Sequence, residues 1–124
     1  MLFRSAGLIG AALVTGNTVV HKPSERCPHL GRRFADLVAS VLPDGVLATV
    51  DGAGPTGALL AGHDAVDVVA HVGSIAAGRA IRQATAGTGA KALLENGGND
   101  PLIVDAGVDP RWAAEQVEIG RAHV

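Results

Sequence analysis

The residues able to do chemistry lie in four short polar stretches, each placed directly after an apolar run. Lys22-Pro23-Ser24-Glu25 sets an ammonium and a carboxylate three residues apart. Glu25 near Lys22 suits the hydroxyl pair of a ribose; taken alone, it also reads as a solvated acid in the first turn of a helix. Asp51-Gly52-Ala53-Gly54-Pro55 is a second small, polar exit. Val72-Gly73-Ser74 leads straight into a helix-like segment, where free backbone N–H groups and the positive end of the helix dipole suit a phosphate. Gly78, one turn further on, costs about 1 kcal/mol relative to alanine in a helix. Either a closely approaching ligand or tight helix–sheet packing accounts for it. The fourth exit is Glu95-Asn96-Gly97-Gly98-Asn99. A carboxylate at Glu95, partly withdrawn from water, holds a proton more tightly and suits general-base work; the plain alternative is a surface acid at a strand end. Glycine, serine and proline are also what tight strand-to-helix turns contain, so each exit taken singly has a purely structural reading.

Other chemistry is poorly supported. Cys27 stands near a helix start, where thiolates are favoured, but no histidine can be assigned to it as a partner and it reads as structural. His21, His29, His63 and His71 have no metal-ligand spacing and read as core or surface residues; no metal site is expected.

The elements that must carry these exits alternate between two periods. Strand-sized apolar runs cover 17–21, 45–50, 66–71, 90–95 and 102–105. Each is apolar on both faces, as in a parallel sheet covered on each side by helices. Helix-like segments lie between them. Over 28–41 the stripe Leu30, Phe34, Leu37, Val38 and Val41 faces away from Arg32, Arg33 and Asp36. Residues 55–61 open with a proline in the first turn, and 74–86 carry Ile75, Gly78 and Ile81 on one side. Asp109-Pro110 is a cap-and-first-turn signal for a last helix through Trp112 and Val117. The order predicts an α/β layer structure with parallel pairing, whose ligands sit beyond the carboxyl ends of the strands.

Composition narrows the classes. The chain has 124 residues, one ordinary domain's worth, and its 48% hydrophobic content excludes a disordered segment. The longest apolar run, 6–14, is broken by Gly7 and Gly10 and falls short of the ~20 residues of a membrane span. It also lacks the flanks of a signal peptide, so a cytoplasmic protein is expected. Ten basic against twelve acidic side chains and 2% aromatics argue against nucleic acid as a partner. One cysteine excludes a disulfide framework.

The exits, taken in order, resemble the aldehyde dehydrogenase superfamily. The matching stretches are Gly16-Asn-Thr-Val-Val-His-Lys-Pro-Ser-Glu25, Leu42-Pro-Asp-Gly-Val46, Gly52-Ala-Gly-Pro55, Val66-Asp-Val-Val-Ala-His-Val-Gly-Ser74 with Gly78, and Leu94-Glu-Asn-Gly-Gly-Asn-Asp-Pro-Leu-Ile-Val104. The likeness runs from about Gly10 to Val117. It implies an α/β fold of parallel-sheet, Rossmann-like layers, here incomplete. Residues 6–95 would be part of an NAD-binding domain and 96–117 the start of a catalytic domain.

By the same resemblance, Lys22, Ser24 and Glu25 would lie at the adenosine ribose of a nicotinamide cofactor. An acid at position 25 would repel a 2′-phosphate, which favours NAD over NADP. Gly73 and Ser74 would lie by the pyrophosphate, Gly57 would line the adenine side, the Asn96 backbone would face the nicotinamide, and Gly78 would also belong to the cofactor site. Glu95 would be the general base that activates water for thioester hydrolysis. The implied parent is a homo-oligomeric oxidoreductase that converts an aldehyde to a carboxylic acid through a cysteine thioester. The nucleophilic cysteine would lie downstream of Val124, so this chain alone would be an inactive fragment. A non-catalytic nucleotide-binding or interaction module with the same sheet is the competing class. A reductase acting on an acyl phosphate is a third reading, which Glu95 disfavours. The sequence departs from the family pattern at His71-Val72, where an aromatic residue and threonine are usual, at Asn96 in place of leucine, and at Asn99 in place of lysine. Back-translation of residues 1–5 and 118–124 reads like the two halves of a sequencing adapter, and both ends are expected to be non-native.

Overall fold

The computed structural model describes residues 2–97 and 102–121. In chain order the elements are α1 (Leu2–Val14), β1 (Val19–His21), α2 (Pro28–Ala39), β2 (Leu47–Thr49), α3 (Gly54–Ala61), β3 (Val68–Gly73), α4 (Ile75–Thr88), β4 (Lys91–Asn96) and α5 (Pro110–Arg121). The α/β alternation expected from the two periods is present, and both strand pairs are parallel. They form two separate two-stranded sheets: β1 pairs with β2 in the register Val19–Leu47 to His21–Thr49, and β3 with β4 from Val68–Lys91 to Gly73–Asn96.

The local signals account for most helix ends. Pro28 stands in the first turn of α2 and Pro55 in that of α3. Ser74 caps α4, its hydroxyl accepting from the Ala77 amide at 3.2 Å, and Gly89 closes the helix in the left-handed conformation at φ 78°. The Asp109 carboxylate accepts from the Arg111 amide at 2.8 Å, as its position before Pro110 predicts.

Three expectations are corrected. The run 102–105 forms no strand; its residues are exposed, Ile103 to 90%, and without a partner ladder β propensity is not realised. Residues 6–14, expected only as a broken apolar run, belong to helix α1, which includes Leu2–Ser5; Ile9 and Leu13, four residues apart, face the core. The inward face of α2 is also rotated. Gly31 and Ala35 are buried and Phe34 and Val38 half-buried, while Leu30, Leu37 and Val41 face outward. Gly31 lets the helix sit directly on His21 and Pro23, since a side chain there would run into the Pro23 ring, and Ala35 packs with Ile9 and Leu47.

The core is small and belongs to the first sheet: Ile9, Ala35 and Leu47, with Leu13, Val19, Phe34, Val38, Ala39 and Leu42 packed around them. In the second sheet α4 covers one face. The other face, carrying Val68, Ala70, Leu93 and Glu95, is exposed. Among the described residues no helix is long and apolar enough to cross a membrane.

Candidate functional site

Because both pairs are parallel, all four strand exits lie at carboxyl ends. Lys22 follows β1, Asp51 and Gly52 follow β2, Gly73 ends β3 and Asn96 ends β4. The half-buried Lys22 ammonium joins them. It donates to the carbonyl oxygens of Pro23 at 3.0 Å and Gly52 at 2.8 Å, and lies 3.7 Å from Glu25. Its stem runs past α3, with Cε 3.6 Å from where a Cβ on Gly57 would sit. Gly52 itself, at φ 148°, is pressed against Thr56, so a side chain has neither room nor a suitable backbone there.

The electrostatics centre on the same ammonium. Glu25 is exposed, and its carboxyl is held below the ordinary value first by a backbone hydrogen bond and then by Lys22. His21 and His71 are both pushed below 6.5, mainly by burial and secondly by the Lys22 charge. That charge thus acts on His21, the last residue of β1, and on His71 in β3.

A second group surrounds the start of α4. Gly73 and the exposed Ser74 open the helix, and the Ser74 hydroxyl is engaged by Ala77. His71, two residues before Gly73 on the face covered by α4, places Nε2 2.6 Å from the Cβ position of Gly73, and this nitrogen is buried without a hydrogen-bond partner. The carboxamide of Asn96 fills the notch at Gly78, and its Oδ1 is likewise buried and unpaired. The close neighbour expected at Gly78 is therefore a side chain of this chain. Beside it Ile75, Gly78, Arg79, Arg82, Gln83 and Asn96 line a hollow of about 390 Å³.

Glu95 stands apart from this group. It pairs in register with Val72 on the open face of the β3–β4 sheet and is exposed, so the partial desolvation expected of it is not supplied by the described residues. Ser24 is half-buried, and its hydroxyl accepts from the Arg26 amide at 3.3 Å. Cys27 is exposed at the start of α2. Asn99 lies outside the described residues. The sequence alone places His71 among core or surface histidines; the available signal is its replacement of an aromatic residue two positions before Gly73.

The model of the aldehyde dehydrogenase family matches residues 2–122. The chain belongs to the aldehyde dehydrogenase family. It is 48% identical over 100 residues to N-succinylglutamate 5-semialdehyde dehydrogenase 1 of Caulobacter vibrioides, covering 79% of this chain and 21% of that one. It is 42% identical over 118 residues to the mitochondrial aldehyde dehydrogenase of Homo sapiens, covering 93% and 23%. Among solved structures, a lactaldehyde dehydrogenase superposes with a TM-score of 0.73 at 40% identity, over 86% of this chain and 23% of that one. A 3,6-anhydro-L-galactose dehydrogenase solved in complex with NAP superposes with a TM-score of 0.66 at 38% identity, over 86% and 23%. The chain thus spans 21% and 23% of the lengths of the two curated aldehyde dehydrogenase relatives. Membership of this family does not favour the non-catalytic module.

Proposed function

We propose that this chain is the cofactor-holding part of an aldehyde dehydrogenase that oxidises an aldehyde to a carboxylic acid. The observation that carries the reading lies at the carboxyl ends of the parallel strands: Lys22 bonds the Gly52 carbonyl and runs along Gly57, and Gly73 and Ser74 open α4. Such an edge is where dinucleotides bind in open α/β sheets. Residues 6–95 then belong to the cofactor domain and 96–117 open the catalytic domain.

The donor set fits a nicotinamide dinucleotide, which supplies a hydride acceptor when bound. Lys22 and Glu25, with Ser24 between them, hold hydroxyls at the ribose end. Gly57 leaves the flank of α3 open. Gly73 and Ser74 present the α4 N-terminus to the pyrophosphate, with Gly78 and Asn96 behind them. The exposed acid at Glu25 disfavours a 2′-phosphate and supports NAD over NADP, even though one solved relative is in complex with NAP. Glu95 takes the proton from the attacking water. The remaining length of the family supplies the nucleophile and the covering for the open face on which Glu95 stands. The whole enzyme is read as a cytoplasmic homo-oligomer acting on a small aldehyde.

Calorimetry of NAD with the 124-residue chain tests the cofactor assignment. Saturable binding that weakens at least tenfold in Lys22→Met supports it, and wild-type binding unchanged by that substitution refutes it. In a chain extended to the family's full length, Glu95→Gln should abolish steady-state aldehyde oxidation while leaving a single burst of hydride transfer. Full turnover in that variant would remove Glu95 from the mechanism.

A further inference from the structure

His71 is the one member of the site whose chemistry the proposed function leaves unused. It lies on the face of β3 covered by α4, directly before the Gly73-Ser74 turn, and its buried Nε2 has no partner. A buried ring nitrogen left unpaired calls for an explanation. Packing alone gives none, because a phenyl ring would fill the same space without a polar atom.

The groups around it set the sign of any response. The Lys22 charge, at the end of β1, acts on it, and the Glu25 carboxylate lies 3.7 Å from that ammonium. His21, at the end of β1, is neutral by burial and by the same ammonium. From above, α4 presents the positive end of its dipole at Ser74, and its Arg79 and Arg82 stand farther along, in the hollow beside Asn96. Neither α3 nor β4 brings a carboxylate to within ion-pair distance of the imidazole among the described residues. Burial and the Lys22 charge both disfavour a proton on His71 in the free chain. An anion at the turn reverses that balance.

We propose that His71 is a proton-linked positioning residue of the cofactor site: a dinucleotide pyrophosphate seated on the Gly73-Ser74 turn stabilises the imidazolium beneath it, so binding takes up one proton from solvent and tightens as the pH falls. The inference rests on the dinucleotide reading above. The imidazolium adds a second positive charge to that of Lys22, and it lies under the pyrophosphate rather than in contact with it, since Nε2 is covered. The uptake falls between the free value, below 6.5, and the higher value of the complex.

The test is calorimetry of NAD with the full chain from about pH 5.5 to about pH 8, where the pyrophosphate itself does not titrate and a histidine does. Two buffers of different ionisation heat count the protons. The expected result is a Kd that falls about three- to tenfold toward low pH, with uptake approaching one proton, and a His71→Phe chain that binds with a flat profile. A flat wild-type profile, or a slope that persists in His71→Phe, overturns the proposal while leaving the dinucleotide reading intact. Absence of NAD binding at every pH overturns both. Should His71→Phe fail to fold, the imidazole proton resonances of the wild type decide: saturating NAD must raise the His71 titration midpoint, and an unmoved midpoint refutes the inference.

Discussion

The Lys22 ammonium donates to the carbonyl oxygen of Gly52, thirty residues later, at 2.8 Å. This bond ties the exit of β1 to the exit of β2 below the backbone pairing of the two strands. It also aims the lysine stem along Gly57 of α3. The same charge that would serve a ligand therefore already organises the loops that would surround it. A ligand's hydroxyls must share or displace these internal acceptors.

Lys22→Met keeps the stem and removes the charge. Two hydrogen bonds from a half-buried cation are lost, and the chain should be destabilised by about 1–3 kcal/mol in urea unfolding. The titrations of His21 and His71 should both move upward, because the ammonium opposes protonation of each. Proton NMR of the imidazole rings reads this directly, and unmoved midpoints would show that Lys22 does not reach them.

His21 makes stability depend on pH. It is 8% exposed, neither ring nitrogen has a partner, and its pKa is lowered below 6.5 by burial first and by Lys22 second. The unfolded chain therefore takes up a proton at a higher pH than the folded chain does. Stability is full above about pH 6.5 and falls as the pH drops from there to the folded value. His21→Leu should flatten this acid limb and raise stability by about 1–3 kcal/mol, since it removes two unsatisfied polar atoms. Denaturation midpoints at a series of pH values provide the check.

Two buried helix glycines should respond differently to alanine. At Gly31 the new methyl runs into the ring of Pro23, a rigid and buried neighbour, and the expected loss is about 1–3 kcal/mol. At Gly78 the methyl meets the Asn96 carboxamide, which can turn away, and the gain of about 1 kcal/mol in helix propensity offsets the disturbance. Gly78→Ala should thus unfold near the wild-type midpoint. Its signature should be displaced Asn96 and Glu95 resonances in amide spectra.

Ser74→Ala removes the acceptor for the Ala77 amide and should cost about 1 kcal/mol. Ser74→Asp should recover that stability while placing a negative charge where a pyrophosphate is expected. If it binds NAD as well as the wild type, the turn is not the phosphate site.

The sequence was most informative where a residue's meaning is local. Pro28, Ser74 and Asp109 mark helix starts because each satisfies or forgoes particular backbone N–H groups, and α2, α4 and α5 begin beside them. It was least informative where meaning depends on neighbours. Leu102 to Asp105 have the composition of a strand and no ladder to join. The large residues of α2 suggested a stripe through Leu30 and Leu37, but close approach to β1 selected the small face at Gly31 and Ala35. Helix α1 was obscured by Gly7 and Gly10, which meet nothing within 4 Å and simply tolerate their positions. The site followed the same division. The helix start at Gly73-Ser74 could be read locally, whereas the influence on His71 comes from a lysine 49 positions earlier in the chain.

The two strand pairs share no backbone rung, and this sets how the molecule yields. Amides of Val20 and Ala48 should exchange with solvent on one clock, and those of Ala70 and Leu93 on another. The β1–β2 unit, which holds the buried cluster, should be the slower. A pulling force or a mild denaturant would then part the molecule at a seam between its two halves, and whatever bridges that seam acts as a clasp.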